Sequence, residues 1–459
     1  MVFTTPIFVY GFLPVMLAVY YLLPRPARNG WLAVGSYLFY GLGNPSCILV
    51  LLFCTTCTFS LALFMPRAGM RTRQLLLLCS ILSNLGPLAF FRYSGFLACA
   101  TRELAGIPGS ETLSWLGAIA IPIGISFYTL QALSYSIDVY RGETKPATRL
   151  VDFAVFMAFF PQLIAGPIVR YRQMAPDLRN RTESRHQFAN GMGVFIIGLA
   201  KKLLLADPCG AVADQAFGAA APDMLSAWIG LLAYSFQIYF DFSGYSEMAI
   251  GLGMMFGFTL PVNFRSPYRA TSLRDFWRRW HITLGSWARD YLYIPLGGSR
   301  VGRWRTATNL LLIMILLGIW HGAAWQFLLW GLLHGLLLAG ERVAPGRGLP
   351  VILRTAFTFL LVTLAWVIFR AQSPAEALNY YASLAGATNP GAASWWTREL
   401  IVTWEHLALL LLAALVIWKE QPLSKNSTRA KWVLLTALFW ICLVFMGSAE
   451  APPFLYYYF

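Results

Sequence analysis

The chain has 459 residues, of which 58% are hydrophobic and only 12% are charged. A soluble protein carries about 25% charged residues, so this chain lacks the polar surface that a water-soluble body of its size needs. Its apolar residues form unbroken blocks without polar–apolar alternation, which excludes a membrane β-barrel and predicts an all-α integral membrane protein. Basic cytoplasmic loops account for the net charge of +15, so no nucleic-acid partner is expected.

The apolar blocks predict one membrane domain over residues 1–459, with about 11 or 12 transmembrane helices, because some 20 apolar residues cross a bilayer. The block 6–23 lacks the basic start and cleavage site of a signal peptide, so we expect a retained first helix. The candidate spans are 6–23, 30–43, 46–64, 75–97, 115–139, 188–205, 226–258, 307–320, 323–340, 351–369, 404–418 and 432–448.

The charges between the spans predict the orientation of the chain. Gaps rich in arginine and lysine alternate with neutral or acidic gaps, as the positive-inside rule requires. The alternation places the N-terminus outside the cytoplasm.

Residues 150–169 break this alternation, because basic stretches lie on both sides of an apolar segment. The segment also contains Pro161 and Gly166-Pro167, which interrupt a helix. We therefore expect a re-entrant element that enters and leaves on the cytoplasmic side, covered by protein.

Residues 265–306 hold nine arginines and two aspartates. Aromatic residues are interspersed among these charges, which is typical of an amphipathic segment at a membrane surface. This range is predicted to be the largest cytoplasmic element, basic and interfacial, within the single domain.

His321 lies deep in apolar sequence, where an ionisable residue is expensive to bury and suggests function. The apolar run 307–340 is too long for one crossing, and Gly322 offers a break. The run predicts a hairpin of two short helices with His321 at its far end, away from the cytoplasm. A neutral imidazole there could act as general base toward a hydroxyl, or simply hydrogen-bond a neighbouring helix.

Five other polar positions are also candidates. His281 follows Arg278 and Arg279, whose guanidinium groups suit a phosphate-bearing or acidic donor, although an ordinary interfacial histidine fits equally. Asp241 and Tyr245 are four residues apart and share a helix face. A structural partner for a buried lysine or arginine is an equal alternative for Asp241. Lys201 and Lys202 are candidates for pairing inside the bundle.

The common motifs of serine hydrolases, zinc proteases, ATPases and dinucleotide enzymes do not occur in a useful context. No metal site and no permanently bound cofactor are predicted. The residues alone therefore leave two classes open, an enzyme with a buried histidine and a transporter or flippase for polysaccharide or lipid-linked sugar.

Several blocks together resemble the membrane-bound O-acyltransferase (MBOAT) family, in its bacterial alginate O-acetylase branch. In chain order these blocks are Phe160–Tyr171, Asp241–Ser246, Asp275–His281, Arg289–Gly298 and Trp320-His321-Gly322. Gly285-Ser286 departs from the Leu-Ser-x-Trp pattern that is expected at that place.

The resemblance implies a multi-helix fold around a central tunnel in the bacterial inner membrane, and the alternation of charged gaps then predicts a periplasmic N-terminus. It implies that His321 is the catalytic histidine and that His281 is the second, on the cytoplasmic side, near the two ends of the crossing. Trp320, Trp325, Asp241, Tyr245, Arg278 and Arg279 are the expected supporting residues.

The implied activity is transfer of an acetyl group from acetyl-CoA or another cytoplasmic thioester toward an exported polysaccharide. An alginate-like polymer is the first expectation, and cellulose, peptidoglycan or another cell-envelope polymer the alternative. Membrane lipid, a polysaccharide acceptor and a periplasmic acetyl-transfer protein are the expected partners.

Overall fold

A computed structural model describes residues 2–43, 45–105, 121–343, 348–388, 398–420, 429–448 and 454–455. Within these residues all regular structure is helical, which confirms the all-α class. The chain divides into two compact units, residues 1–195 with 246–261 (unit 1) and residues 196–245 with 262–459 (unit 2).

The helices follow the predicted apolar blocks closely. They are α1 (Leu13–Leu22, after a π-helical stretch Ile7–Phe12), α2 (Arg25–Gly43), α3 (Ile48–Phe64), α4 (Met70–Ala105), α5 (Ile125–Arg141), α6 (Leu150–Ala158), α7 (Phe160–Leu163), α8 (Tyr171–Asn180), α9 (Arg185–Ala200, followed by a π-helical stretch Lys201–Ala206), α10 (Asp207–Gly218), α11 (Met224–Met255), α12 (Leu273–Arg279), α13 (Ile282–Ala288, followed by a π-helical stretch Arg289–Tyr293), α14 (Arg303–His321), α15 (Trp325–Val343), α16 (Val351–Arg370), α17 (Pro374–Leu384), α18 (Trp404–Lys419) and α19 (Arg429–Ser448). The first six residues of the predicted span 115–139 lie outside the described residues.

Among the described residues, five helical stretches are long and apolar enough to cross a membrane: Pro45–Arg67, Met70–Ala98, Arg185–Gly218, Val351–Arg370 and Arg429–Gly447. The chain is therefore a multi-pass membrane protein. The larger number of spans and the central tunnel stay predictions.

Polar pairs connect neighbouring helices of unit 1. The Asn84 amide of α4 donates to the Thr58 hydroxyl of α3 over 2.8 Å, and Ser80 of α4 hydrogen-bonds Ser136 of α5 over 2.7 Å. All four side chains are buried. Such bonds hold membrane helices together because lipid offers no alternative partner.

The apolar segment 150–169 turns back on itself, as predicted. Helix α6 has nine residues and is only about 14 Å long, too short for a crossing of about 30 Å. The loop 143–145 before the segment and helix α8 after it line one and the same cavity. Both ends of the segment therefore lie together, as a re-entrant element requires, and its entry from the cytoplasmic side stays a prediction.

Helices α14 and α15 of unit 2 form the predicted hairpin. Each has 19 residues and is about 28 Å long. Glycines allow the two backbones to touch: a Cβ atom at Gly318 would lie within 3.2 Å of Phe327 and Gly331 backbone atoms, and one at Gly335 would lie 3.0 Å from the Leu311 Cα atom. This close packing fixes the hairpin and the residues at its tip.

The segment 265–306 exposes eight of its nine arginines, as a basic amphipathic element does, but it buries several of its aromatic rings. Phe276, Trp280, Trp287 and Tyr291 are buried. The ring of Trp280 lies 5.1 Å from the ring of Trp366 in α16. These four rings are thus covered by protein, whereas Trp304 is 65% exposed, and the interfacial position of the segment stays a prediction.

Candidate active site

His321 is the last residue of α14, at the tip of the hairpin, and is 3% exposed. Three aromatic rings surround its imidazole with centroid distances of 4.9 Å to Trp320, 5.2 Å to Trp330 and 5.5 Å to Phe369. These rings fix the orientation of the imidazole and limit water around it.

Gly322 shapes the tip by having no side chain. A Cβ atom at this position would overlap the ring of Phe327. The Phe327 ring in turn packs edge-on against Phe369, 5.1 Å away, which is one of the three rings around His321. The Trp-His-Gly sequence therefore needs its glycine for space.

His281 is held in an unusual backbone conformation. Its φ of 45° lies in the left-handed region, which costs an L-residue about 1–2 kcal/mol. The cost is offset by Asn263, whose backbone oxygen accepts from the Ile282 amide at 2.9 Å. The Asn263 side-chain oxygen accepts from the Thr283 amide and hydroxyl at 3.2 and 2.9 Å. Strain of this kind is typical of functional sites.

The contact with Asn263 also selects the His281 tautomer. The His281 Nδ1 atom lies 3.2 Å from the Asn263 Oδ1 atom, which already accepts two hydrogen bonds from Thr283. Nδ1 is therefore the donor, and in the neutral ring Nε2 is the acceptor. His281 is 1% exposed, so this acceptor belongs to a buried site.

The two histidines lie in one site, and the expectation that they mark opposite ends of a membrane crossing is wrong. The Trp320 ring lies 6.2 Å from the His281 ring and 4.9 Å from the His321 ring, so the two imidazoles are at most about 11 Å apart. A hydrocarbon core is about 30 Å thick. The part of the segment 265–306 that carries His281 is buried, although the arginines on either side of it are exposed.

Asp241 forms a buried ion pair, which was the structural alternative to a catalytic role. Its carboxylate lies 2.7 Å from the Lys202 ammonium, which also lies 2.6 Å from Asp207. A Cβ atom at Gly244 would lie 2.7 Å from the Gly198 oxygen, so only glycine permits the close approach that brings the two helices together here. The predicted pairing of Lys202 inside the bundle is confirmed.

Asp241 and Tyr245 do share a helix face, as predicted. The Leu455 amide donates to Asp241 at 2.9 Å, and the Phe454 ring lies 4.6 Å from the Tyr245 ring. Asp241 also precedes Phe242, whose ring lies 4.7 Å from His281. The ion pair thus lies beside the histidine site, and a direct part for Asp241 or Tyr245 in chemistry stays a prediction.

A second buried ion pair involves Lys201, as the sequence suggested. Its ammonium lies 2.6 Å from Glu420, and Glu420 also accepts from Tyr239 and, at 3.2 Å, from Ser266. Ser266 is, with His281, one of the two described non-glycine residues with positive φ. This network therefore holds Ser266 in place, as Asn263 holds His281.

The remaining predicted residues, Arg278, Arg279 and Trp325, are exposed or half-exposed. Arg278 is exposed, and Arg279 is half-exposed with its guanidinium 2.9 Å from Asp275, one helical turn earlier. Trp325 is 49% exposed. Their roles toward a donor stay predictions.

Sequence reasoning missed Asn263, Trp330 and Phe369. An asparagine 18 residues before His281 gives no pattern, because the turn that joins them is not periodic. Trp330 and Phe369 look like ordinary apolar helix residues. Only the hairpin contact and the packing of α16 bring them to His321.

Comparison with known proteins places this geometry in a family. Residues 46–345 match the membrane-bound O-acyltransferase family, MBOAT. The chain is 40% identical to "Probable alginate O-acetylase AlgI" of Pseudomonas aeruginosa, over 94% of this chain and 84% of that protein. It is 43% identical to the protein of the same name from Azotobacter vinelandii, over 91% and 84%. It is 37% identical to "Peptidoglycan O-acetyltransferase" of Helicobacter pylori, over 84% and 80%.

The match covers most of the chain and includes both histidines, the Asp241 helix and the hairpin. It favours the enzyme over the transporter that the residues alone left open. The chain therefore belongs to the membrane-bound O-acyltransferase family and is an O-acyltransferase.

Proposed function

We propose that this enzyme transfers an acetyl group from a cytoplasmic acyl thioester, such as acetyl-CoA, for O-acetylation of an exported, alginate-like polysaccharide. The observation that carries the proposal is the buried His321, held by three aromatic rings at the tip of a glycine-packed hairpin, with His281 in the same site. The names of the relatives support the acetyl group and the polymer.

The chemistry is general-base acyl transfer. The oxygen of the acceptor hydroxyl forms the new ester bond to the acetyl carbonyl carbon while the carbon–sulfur bond of the thioester breaks. Neutral His321 takes the hydroxyl proton and passes it to the departing thiolate, so that acetyl ester and free thiol result. The aromatic surroundings exclude water, which would otherwise hydrolyse the thioester.

His281 acts from the same site. Its Nε2 atom is the acceptor of the neutral ring, because Nδ1 donates to Asn263. We propose that this nitrogen receives a hydrogen bond from the acceptor or from a bound water and so orients the reacting groups. The two imidazoles, at most about 11 Å apart, are close enough for both to act on one acyl group and its hydroxyl acceptor.

We further propose a location and an acceptor for the enzyme. It lies in the bacterial inner membrane with its N-terminus in the periplasm, and it hands the acetyl group to the polysaccharide or to a periplasmic acetyl-transfer protein. The alternation of basic and neutral gaps supports this orientation. A second acceptor, peptidoglycan, is favoured by the Helicobacter pylori relative.

Mass spectrometry of the exported polymer and of the cell wall, with and without the gene, tests the proposal. The expected result is loss of acetyl ester from the exported polysaccharide with an unchanged amount of polymer. Loss of acetyl ester from peptidoglycan alone would overturn the polysaccharide in favour of the second acceptor. Loss of the polymer itself, with its acetyl content unchanged, would overturn O-acetylation.

A further inference from the structure

A basic cavity in unit 1 shares no lining residue with the histidine site. It has a volume of about 550 Å³ and lies between the loop after α5 and the amphipathic helix α8. Ligand cavities in proteins have about 300–1,000 Å³, so this one is large enough for a headgroup. Glu143, Lys145, Tyr171, Arg172 and Arg179 are among its lining residues.

The carboxylates near the cavity are already engaged. The Arg172 guanidinium lies 2.9 Å from Glu143 and 3.9 Å from the buried Asp138. The carboxylate of Asp177, on the same helix as Arg179, accepts from the Thr259 amide at 3.0 Å. Among the residues that the structure describes, neither Lys145 nor Arg179 has a carboxylate within 4.0 Å. The cavity thus presents two uncompensated cations.

Hydrogen bonds and ring packing fix the backbone around the cavity. The Glu143 and Thr144 amides donate to the Asp138 backbone oxygen and so close the loop. The Ala147 amide donates to the Tyr135 hydroxyl at 2.9 Å. The Tyr171 ring packs against the Tyr135 ring, 5.0 Å away. Two cations beside a packed tyrosine ring match an anionic group attached to an apolar body.

We propose that this cavity binds the phosphate group of an anionic phospholipid, with Lys145 and Arg179 as its charge partners. Guanidinium binds phosphate oxygens in a bidentate manner, and ammonium adds a point charge. Helix α8 is amphipathic and presents Ala175 and Pro176 to the same cavity. These apolar groups provide contact for the part of the lipid beyond the phosphate. This site does not depend on the proposed function.

Native mass spectrometry of the purified full-length protein, with phosphatidylglycerol or phosphatidylcholine added, tests the site. The test variant is Lys145→Gln with Arg179→Gln. The matched control is Arg149→Gln with Arg185→Gln, which removes the same charge from two exposed residues of unit 1. We expect retention of phosphatidylglycerol to fall at least about tenfold in the test variant and to remain unchanged in the control.

Two further experiments separate loss of charge from loss of fold, and a lipid ligand from a soluble phosphate. The charge-conserving variant Lys145→Arg with Arg179→Lys is expected to retain the lipid, which separates loss of charge from loss of fold. Glycerol 3-phosphate is added as a soluble competitor, and persistence of the lipid adduct in its presence supports a lipid source. Displacement by glycerol 3-phosphate alone would overturn the lipid as the ligand. Equal retention by the test variant and the control would overturn the site.

Discussion

The Nδ1 atom of His281 lies 3.2 Å from the side-chain oxygen of Asn263, and the same oxygen accepts two hydrogen bonds from Thr283. Asn263 thus fixes both the tautomer of His281 and the turn that carries it. It is a positioning residue, because it acts on the acceptor through His281.

We expect Asn263→Ala to lower polymer acetylation at least about tenfold, since the imidazole loses the bond that orients it. The measurement is acetyl ester per sugar in exported polymer at matched protein abundance. Asn263→Asp keeps the accepting oxygen and is expected to restore most of the activity. Equal loss in both variants would mean that Asn263 does not act by orienting His281.

The Lys202 ammonium is shared by two carboxylates, which predicts an order of stability. Lys202→Met leaves both Asp207 and Asp241 without their cation and should destabilise the protein by about 3–5 kcal/mol. Asp241→Asn leaves Lys202 paired with Asp207 and should cost less. Thermal unfolding in detergent gives the comparison, with Lys419→Met at an exposed position as control. The reverse order would contradict the shared ion pair.

Gly322→Ala should abolish most of the activity, because the added Cβ atom overlaps the Phe327 ring and shifts the tip that carries His321. We expect a fall of about 100-fold, the size of effect that a misplacement of about 1 Å can have. Gly340→Ala is the matched control in the same hairpin, since no atom lies within 4 Å of its Cβ position. Acetylation of exported polymer is measured for both. Equal activity of the two variants would show that the glycine is not needed for space.

Much of this arrangement follows from the sequence, and the exceptions have a physical reason. The hairpin with His321 at its tip could be predicted, because run length and a glycine break are local features. The burial of His281 could not be predicted, because the arginines around it resemble those of an ordinary cytoplasmic loop. Its true place depends on Trp280 packing against Trp366, 86 residues later, and no local pattern records such a contact.

Glu183 makes unit 1 sensitive to acid. Burial by itself raises the pKa of the Glu183 carboxyl. Hydrogen bonds from Tyr20 and Arg28 outweigh this effect and hold the pKa below its ordinary value. The carboxyl group therefore stabilises the fold above its unfolded-state pKa of about 4.3, and this contribution is lost as the pH falls through the lower, folded-state value.

We expect wild type to unfold at a higher temperature than Glu183→Gln at pH 7, with the gap narrowing below about pH 4.5. Glu143→Gln, at a carboxylate 40% exposed in its pair with Arg172, should change stability by no more than about 0.5 kcal/mol. Thermal unfolding from pH 7 to pH 4 measures both. A gap for Glu183→Gln that is constant over this range would contradict the stabilising carboxylate.

We propose that His321 performs the proton transfer. The measurement that tests it most directly is the acetyl ester content of the exported polymer from cells that carry His321→Ala at normal protein abundance. His186→Ala, at an exposed histidine of unit 1, is the control. We expect a fall of at least about 100-fold for His321→Ala and none for His186→Ala. Normal acetylation with His321→Ala would contradict it.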